Sequence, residues 1–165
     1  MTIFLYGEKR VGKDTVADVI EKYIKVDRFS FAKKPKEIFC KIKGISLDDF
    51  EKNKEKYRKD LIWFSEEIKK GYPYIWADFV KKQMNVTKIN LITDLRFKVE
   101  YERIKEVDNV IVIHVIDKNI KEEFIEKIDF DKEIILDNTE KDINKLKDKV
   151  KKILIEIGVL NDRKN

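Results

Sequence analysis

Apolar positions along the chain follow two rhythms. Five short stretches are apolar throughout or alternate with a period of two: TIFLY (2–6), VDRFSF (26–31), KINLIT (88–93), NVIVIHVI (109–116) and EIILD (133–137). Those that are apolar all along read as strands buried on both faces. Elsewhere apolar residues recur every three to four positions. KDTVADVIEKYI (13–24) puts Val16, Val19, Ile20 and Tyr23 on one helical face. Residues 36–84 carry helical signals broken near 44–46 and 71–73, and further helices are expected over 98–107 and 142–157, with a short one in the charged segment after Ile116. Strands alternating with helices predict right-handed crossovers and an α/β architecture, a mainly parallel sheet of about five strands flanked by helices.

Composition narrows this picture only a little. With 165 residues, 42% hydrophobic and 42% charged, the chain predicts one domain with a heavily charged surface. The domain is expected over 1–157, with a short polar tail, 158–165, left to fray. A single cysteine, Cys40, leaves no disulfide framework. No apolar run is long enough to cross a membrane, and Met1 leads straight into a strand without a signal-peptide pattern, so a cytoplasmic protein is expected. The net charge of +5 comes from 37 basic and 32 acidic residues mixed along the whole chain. Without clustered arginines and spaced aromatics it reads as a solvated surface, not a nucleic-acid groove. A phosphorylated small substrate suits it better.

Chemistry concentrates where the first strand ends. GEKRVGKD (7–14) has the Gly-x-x-x-x-Gly-Lys spacing of a phosphate-binding loop between a strand and a helix. Gly7 and Gly12 permit backbone turns that aim N–H groups at phosphate oxygens, and the helix beginning near Lys13 adds its positive end. Lys13 is placed to reach the β- and γ-phosphates of ATP, and Arg10 lies within the loop. Asp14 stands where such loops usually carry a hydroxyl, so the expected metal ligands are Asp14 or Thr15, with Mg²⁺ offsetting the extra negative charge. Both residues also suit a plain helix N-terminus. The fold class expected is therefore the three-layer P-loop NTPase type. In such sheets ligands bind beyond the carboxyl ends of the strands, where Asp94 to Arg96 would follow the strand at 88–93.

GKDTVA (12–17), FSFAKKPKE (29–37), RKDLIWF (58–64), WADF (76–79) and TDLRFKVEYERIK (93–105) together resemble the deoxynucleoside monophosphate kinases of tailed phages. The closing DNTEKDINKLKDKVKKIL (137–154) resembles that family's last segment and brings Asn138 among the nucleotide-binding candidates. The resemblance implies transfer of the γ-phosphoryl group of ATP to a nucleoside monophosphate, with ATP and Mg²⁺ as cofactors. It implies that Asp94 holds the metal through water, and that Arg96 grips a transferring or acceptor phosphate. Asp94 would otherwise cap the following helix. Arg58 matches an arginine for the acceptor phosphate and is equally suited to a surface ion pair.

The acceptor would be bound by the helical region 36–86 and its approach, with Phe31, Lys33, Trp63, Trp76 and Asp78 as candidates. A helical Trp is also ordinary core packing. A lid-like segment is expected at 117–131, yet no arginine occurs between Ile116 and Lys132, only Lys118, Lys121 and Lys127. Animal-type phosphomevalonate kinases are similar in having a Gly-Lys-Asp loop and an Asp-x-Arg element, and they form the alternative, as does a P-loop protein that binds nucleotide without transferring phosphate. The last helix's apolar face would cover either its own sheet or a second copy of the chain.

Overall fold

The computed structural model describes residues 1–121 and 125–161. Five strands, β1 (Thr2–Tyr6), β2 (Asp27–Phe29), β3 (Asn90–Leu95), β4 (Val110–Ile116) and β5 (Glu133–Asp137), form one sheet in the order β2-β3-β1-β4-β5, with every neighbouring pair parallel. The helices are α1 (Lys13–Tyr23), α2 (Lys33–Lys43), α3 (Leu47–Lys52), α4 (Lys54–Gly71), α5 (Ile75–Lys81), α6 (Lys98–Lys105) and α7 (Ile143–Glu156). Among the described residues, no helix is long and apolar enough to cross a membrane.

Because side chains alternate across a strand, β1 feeds two cores. Ile3 and Leu5 pack with Val16 and Ile20 of α1 and Leu146, Val150 and Leu154 of α7. Phe4 and Tyr6 face the other way, toward Trp76 and Val80 of α5 and Tyr101 and Ile104 of α6. This double burial is why the stretch is hydrophobic from Ile3 to Tyr6, while buried Thr2 at its start gives its hydroxyl proton to Asp108 at 2.7 Å. A third, smaller cluster of Phe39, Cys40 and Phe50 holds α2 and α3 together, with Leu61 and Phe64 of α4 packed against it. The apolar face of α7 is thus spent on its own sheet.

Four expectations need correcting. Strand β3 runs two residues further than its apolar stretch, because the register shifts after Phe4↔Ile92 and Tyr6 then pairs with Leu95. Asp94 therefore lies inside the strand. Helix α2 begins at Lys33, with Pro35 in its first turn, where a missing N–H costs nothing. No helix forms among the described residues of 117–132; Ile125, Ile128 and Phe130 pack instead on the α5–α6 side of the sheet, and the Tyr6 hydroxyl donates to the Glu126 carbonyl at 2.8 Å. Residues 122–124 of this lid-like segment and 162–165 of the tail lie outside the described residues. The start of the tail does not fray: Val159 and Leu160 pack on the α1–α7 core, and both their N–H groups donate to the Leu154 carbonyl.

The turn out of β1 is tightly constrained. Gly7 has φ +138°, and a Cβ there would stand 2.2 Å from the Val115 carbonyl oxygen of β4. Gly7→Ala is expected to cost about 2–4 kcal/mol through backbone strain and overpacking. Gly71→Ala, in the last turn of α4 with nothing within 4 Å, should be neutral or slightly stabilising. Denaturant unfolding of the two variants beside the parent measures the contrast.

Candidate active site

Residues 7 to 13 wrap into a cradle. Gly7, Arg10 and Gly12 all have positive φ, at 138°, 70° and 97°, which turns successive N–H groups toward one side. Arg10 is a non-glycine residue in that region, a strain of about 1–3 kcal/mol that such sites commonly hold. The cradle is tied from beneath. The Asn138 side chain, buried after β5, donates from Nδ2 to the Val11 carbonyl at 2.9 Å and sits so close to Gly12 that a Cβ there would meet it at 2.5 Å. Lys141 Nζ donates to the Arg10 and Val11 carbonyls at 3.3 and 3.2 Å and pairs with the Asp117 carboxylate at 2.7 Å. Asn138, expected to touch nucleotide, thus holds the loop in this structure; Asp117 and Lys141 were not singled out by sequence.

Lys13 folds back into the cradle, its Nζ donating to the Gly7 and Glu8 carbonyls at 2.7 Å each. Burial, and after it the nearby Arg96 guanidinium, pushes its ammonium down to about 8, against the pull of Asp14, Asp94 and Glu8. Asp14 and Thr15 stand exposed in the first turn of α1. The Asp14 side chain is 90% exposed and pairs with Arg28 at 3.3 Å, while Arg28 is shared with Asp18 and Glu21. Exposed hard oxygen donors beside a phosphate cradle fit a Mg²⁺ ion that arrives with nucleotide. Among the described residues no three acidic, His or Cys side chains gather to cage a metal. A cleft of about 300 Å³ opens at the lip of the loop, lined by Glu8, Lys9, Arg10, Ile120 and Lys121.

The end of β3 supplies the second half of the site. Both oxygens of Asp94 are engaged: Oδ1 accepts from the Phe31 N–H at 2.8 Å, and Oδ2 from the Ser30 hydroxyl at 2.7 Å and the Ala32 N–H at 2.9 Å. The residue expected to hold metal through water therefore pins the β2–α2 turn in this structure. It remains close enough to Lys13 to oppose the fall in that lysine's pKa. Arg96 emerges two residues later, exposed and with no carboxylate partner among the described residues. Its backbone N–H donates to Glu100 Oε2 at 3.0 Å, and that of Phe97 to the same oxygen at 3.1 Å. Glu100 is 7% exposed, and burial, with Asp94 adding to it, pushes its carboxyl up to about 8.

The acceptor candidates scatter. Phe31 is buried and stacks on Phe4 with ring centroids 6.4 Å apart. Trp76, 4% exposed, lies in the core beside Phe79. Asp78 is gripped by Arg103 at 2.7 and 3.3 Å and by the Tyr72 hydroxyl at 2.6 Å, which holds its carboxyl below the usual range. These three are committed to packing and pairing here. Lys33, in the first turn of α2, and Trp63, 66% exposed on α4, stay open to solvent. Arg58, half-buried on α4, has no ion pair among the described residues. Asp94→Asn would put an amide NH₂ against one of these donors. It is expected to cost about 2–3 kcal/mol and to speed hydrogen exchange at the Phe31 and Ala32 amides, read by exchange-coupled mass spectrometry.

The loop and the β3 turn both fall inside residues 5–110, a stretch of more than half the chain that matches the phosphomevalonate kinase family. No curated protein is significantly similar in sequence. Among solved structures, an unliganded sugar kinase from Janibacter sp. HTCC2649 superposes with a TM-score of 0.55 at 14% identity, covering 96% of this chain and 95% of that one. A kinase candidate from Chloroflexus aurantiacus J-10-fl gives 0.55 at 13% identity, with 94% and 96% covered. At such identities these are likenesses of fold. The resemblance to phage nucleotide kinases is met at the level of a P-loop kinase and no finer. With its phosphate cradle, lysine and β3 arginine inside the matched stretch, the chain belongs to the phosphomevalonate kinase family.

Proposed function

We propose that the protein transfers the γ-phosphoryl group of ATP, with Mg²⁺, onto the phosphate of a small phosphorylated metabolite of the phosphomevalonate kind. The observation that carries this reading is the cradle of residues 7–13 facing Arg96, a guanidinium free of carboxylates near the lysine of the loop. In the transfer, an oxygen of the acceptor phosphate attacks the γ-phosphorus, the bond to the β-phosphate oxygen breaks, and ADP leaves. The attacking oxygen is already ionised at neutral pH, so no general base is needed and the work is positioning and charge neutralisation. The loop N–H groups and Lys13 hold the donor phosphates, Arg96 spans donor and acceptor, and Asp14 and Thr15 are the residues that would hold Mg²⁺. That ion would neutralise the β- and γ-phosphate charge.

The acceptor side argues for a small acid over a nucleobase. Phe31 and Trp76, which would stack a base, are spent in the core, and Asp78, which would accept from its amine, is spent on Arg103 and Tyr72. Exposed Trp63 supports the second reading, a nucleoside monophosphate acceptor. It lies five positions after Arg58, however, which places the two about 140° apart around α4.

The test incubates the protein with ATP and Mg²⁺ against phosphomevalonate and against each ribo- and deoxynucleoside monophosphate. Formation of ADP with phosphomevalonate, reduced on the order of 10²–10³-fold by Lys13→Ala, is the expected result. Conversion of a nucleoside monophosphate instead replaces the acceptor and keeps the chemistry. ATP binding with no acceptor phosphorylated sinks the kinase reading and leaves a nucleotide-binding protein.

Lys13 gives a second test through pH. Its pKa lies below the unfolded value, so the empty protein releases this proton as pH rises through about 8, and folding gains stability between there and 10.5. Phosphates entering the cradle restore the charge. ATP binding at pH 8.5 is expected to take up a proton, seen as a buffer-dependent binding enthalpy that is absent in Lys13→Ala.

A further inference from the structure

Arg96 poses a mechanical problem. It is exposed, its guanidinium makes no ion pair among the described residues, and a side chain of such freedom spends most of its time away from any one target. Yet its guanidinium lies close enough to Lys13 to help push that ammonium's pKa down. Something must fix the backbone from which it projects.

The turn after β3 is clamped from inside the protein. Glu100, buried at the third position of α6, sends Oε2 back to two N–H groups at once, those of Arg96 and Phe97. A plain helix cap needs only the Phe97 bond. The bond to Arg96 lies outside the helix and orients the peptide of the arginine itself. The N-terminus of α6 already has another carboxylate, since Glu126 Oε2 accepts from the Lys98 N–H at 2.8 Å. The charged groups around Glu100 are Asp94 from β3 and Lys69 from α4, the latter lying over the Phe97 ring at 3.7 Å. The Lys69 ammonium and Glu100 thus grip Phe97 from two elements, and Arg96 is held next to it.

We propose that Glu100 is a positioning residue that aims Arg96 at the transferring phosphate, an inference that rests on the kinase reading above. Glu100 is buried and bonded to the Arg96 and Phe97 N–H groups rather than to the loop of residues 7–13, so removing it should disturb Arg96 and leave the nucleotide cradle intact. A misplacement of about 1 Å in a charge-neutralising group costs up to 10²-fold in rate.

The experiment is a double-mutant cycle with Glu100→Ala and Arg96→Ala on the acceptor found active, together with the ATP dissociation constant. Glu100→Ala is expected to lower kcat/KM roughly 10- to 100-fold with ATP affinity changed less than twofold. The double variant should be no slower than Arg96→Ala alone. Glu100→Gln, whose amide oxygen can still accept both N–H groups, should recover most of the rate. Losses that multiply in the double variant, or a folded Glu100→Ala at parental speed, overturn the proposal. If Glu100→Ala does not fold, Glu100→Asp, one methylene shorter, carries the same cycle. Should the parent phosphorylate no acceptor, the kinase reading fails, and the positioning role is still read in the ligand-free protein. There the Arg96 Nε–H resonance, identified by its loss in Arg96→Ala, should broaden or shift in Glu100→Ala. An unchanged resonance overturns the role.

Discussion

The parallel pairing of β1 with both β3 and β4 is the constraint on which the site depends. Tyr6 lies opposite Leu95 on one side and His114 on the other, so the chain leaving β1 must turn above the ends of both neighbours. That is why position 7 bears no side chain: the Val115 carbonyl occupies the space. It is also why Lys13 and the Asp94–Arg96 turn come within electrostatic reach although about eighty residues separate them. The helical region 33–81 is inserted between β2 and β3, and the edge position of β2 lets it project from the β3 side of the sheet without disturbing this arrangement.

Charge is divided unevenly among the arginines. Arg28 is saturated by Asp14, Asp18 and Glu21, and Arg103 by Asp78 and Glu106. Arg10, Arg58 and Arg96 have no carboxylate among the described residues. A guanidinium fits phosphate bidentately and binds it poorly when a carboxylate already fills the fork. The division therefore separates arginines that staple the fold from arginines left for an anion. Lys13 is placed differently, its ammonium held by the Gly7 and Glu8 carbonyls of the loop.

Much of this was legible in the sequence, for physical reasons. TIFLY and NVIVIHVI had to be central strands because only double burial tolerates such continuous apolar runs. The turn at residues 7–13 was legible because its glycines are needed at fixed spacing, and Gly7 and Gly12 both take positive φ. The acceptor side was not. Trp76 and Asp78 have the residue types of a base pocket, but whether an aromatic lines a cavity or fills a core depends on how α5 meets α6, which no local pattern encodes. Asp94 was read as lying beyond its strand because the register shift after Phe4 is a tertiary event. Glu100 and Glu102, following Arg96 on a helix, read from sequence as able to orient it or merely to face water. Only packing separates the two: Glu100 is buried on the Arg96 N–H and Glu102 is exposed. Lys141 gave no signal, because its partner Asp117 is distant in sequence.

The lid-like segment bears on where neutralising charge must come from. Its described part is docked: Ile125, Ile128 and Phe130 pack on the sheet, Tyr6 holds the Glu126 carbonyl, and the Glu126 carboxylate caps α6. Its lysines are differently placed. Lys118 is paired with Asp137 at 2.9 Å, Lys121 lines the cleft beside Arg10, and Lys127 faces solvent. A lysine offers one compact charge where an arginine offers a fork, so this segment can add field but little bidentate grip. On the proposed reading, the burden of holding the transferring phosphoryl group in line would fall on the body of the domain, on the loop N–H groups, Lys13 and Arg96. The backbone carrying those groups is fixed by Gly7 against β4, Asn138 under Val11, and Glu100 behind Arg96.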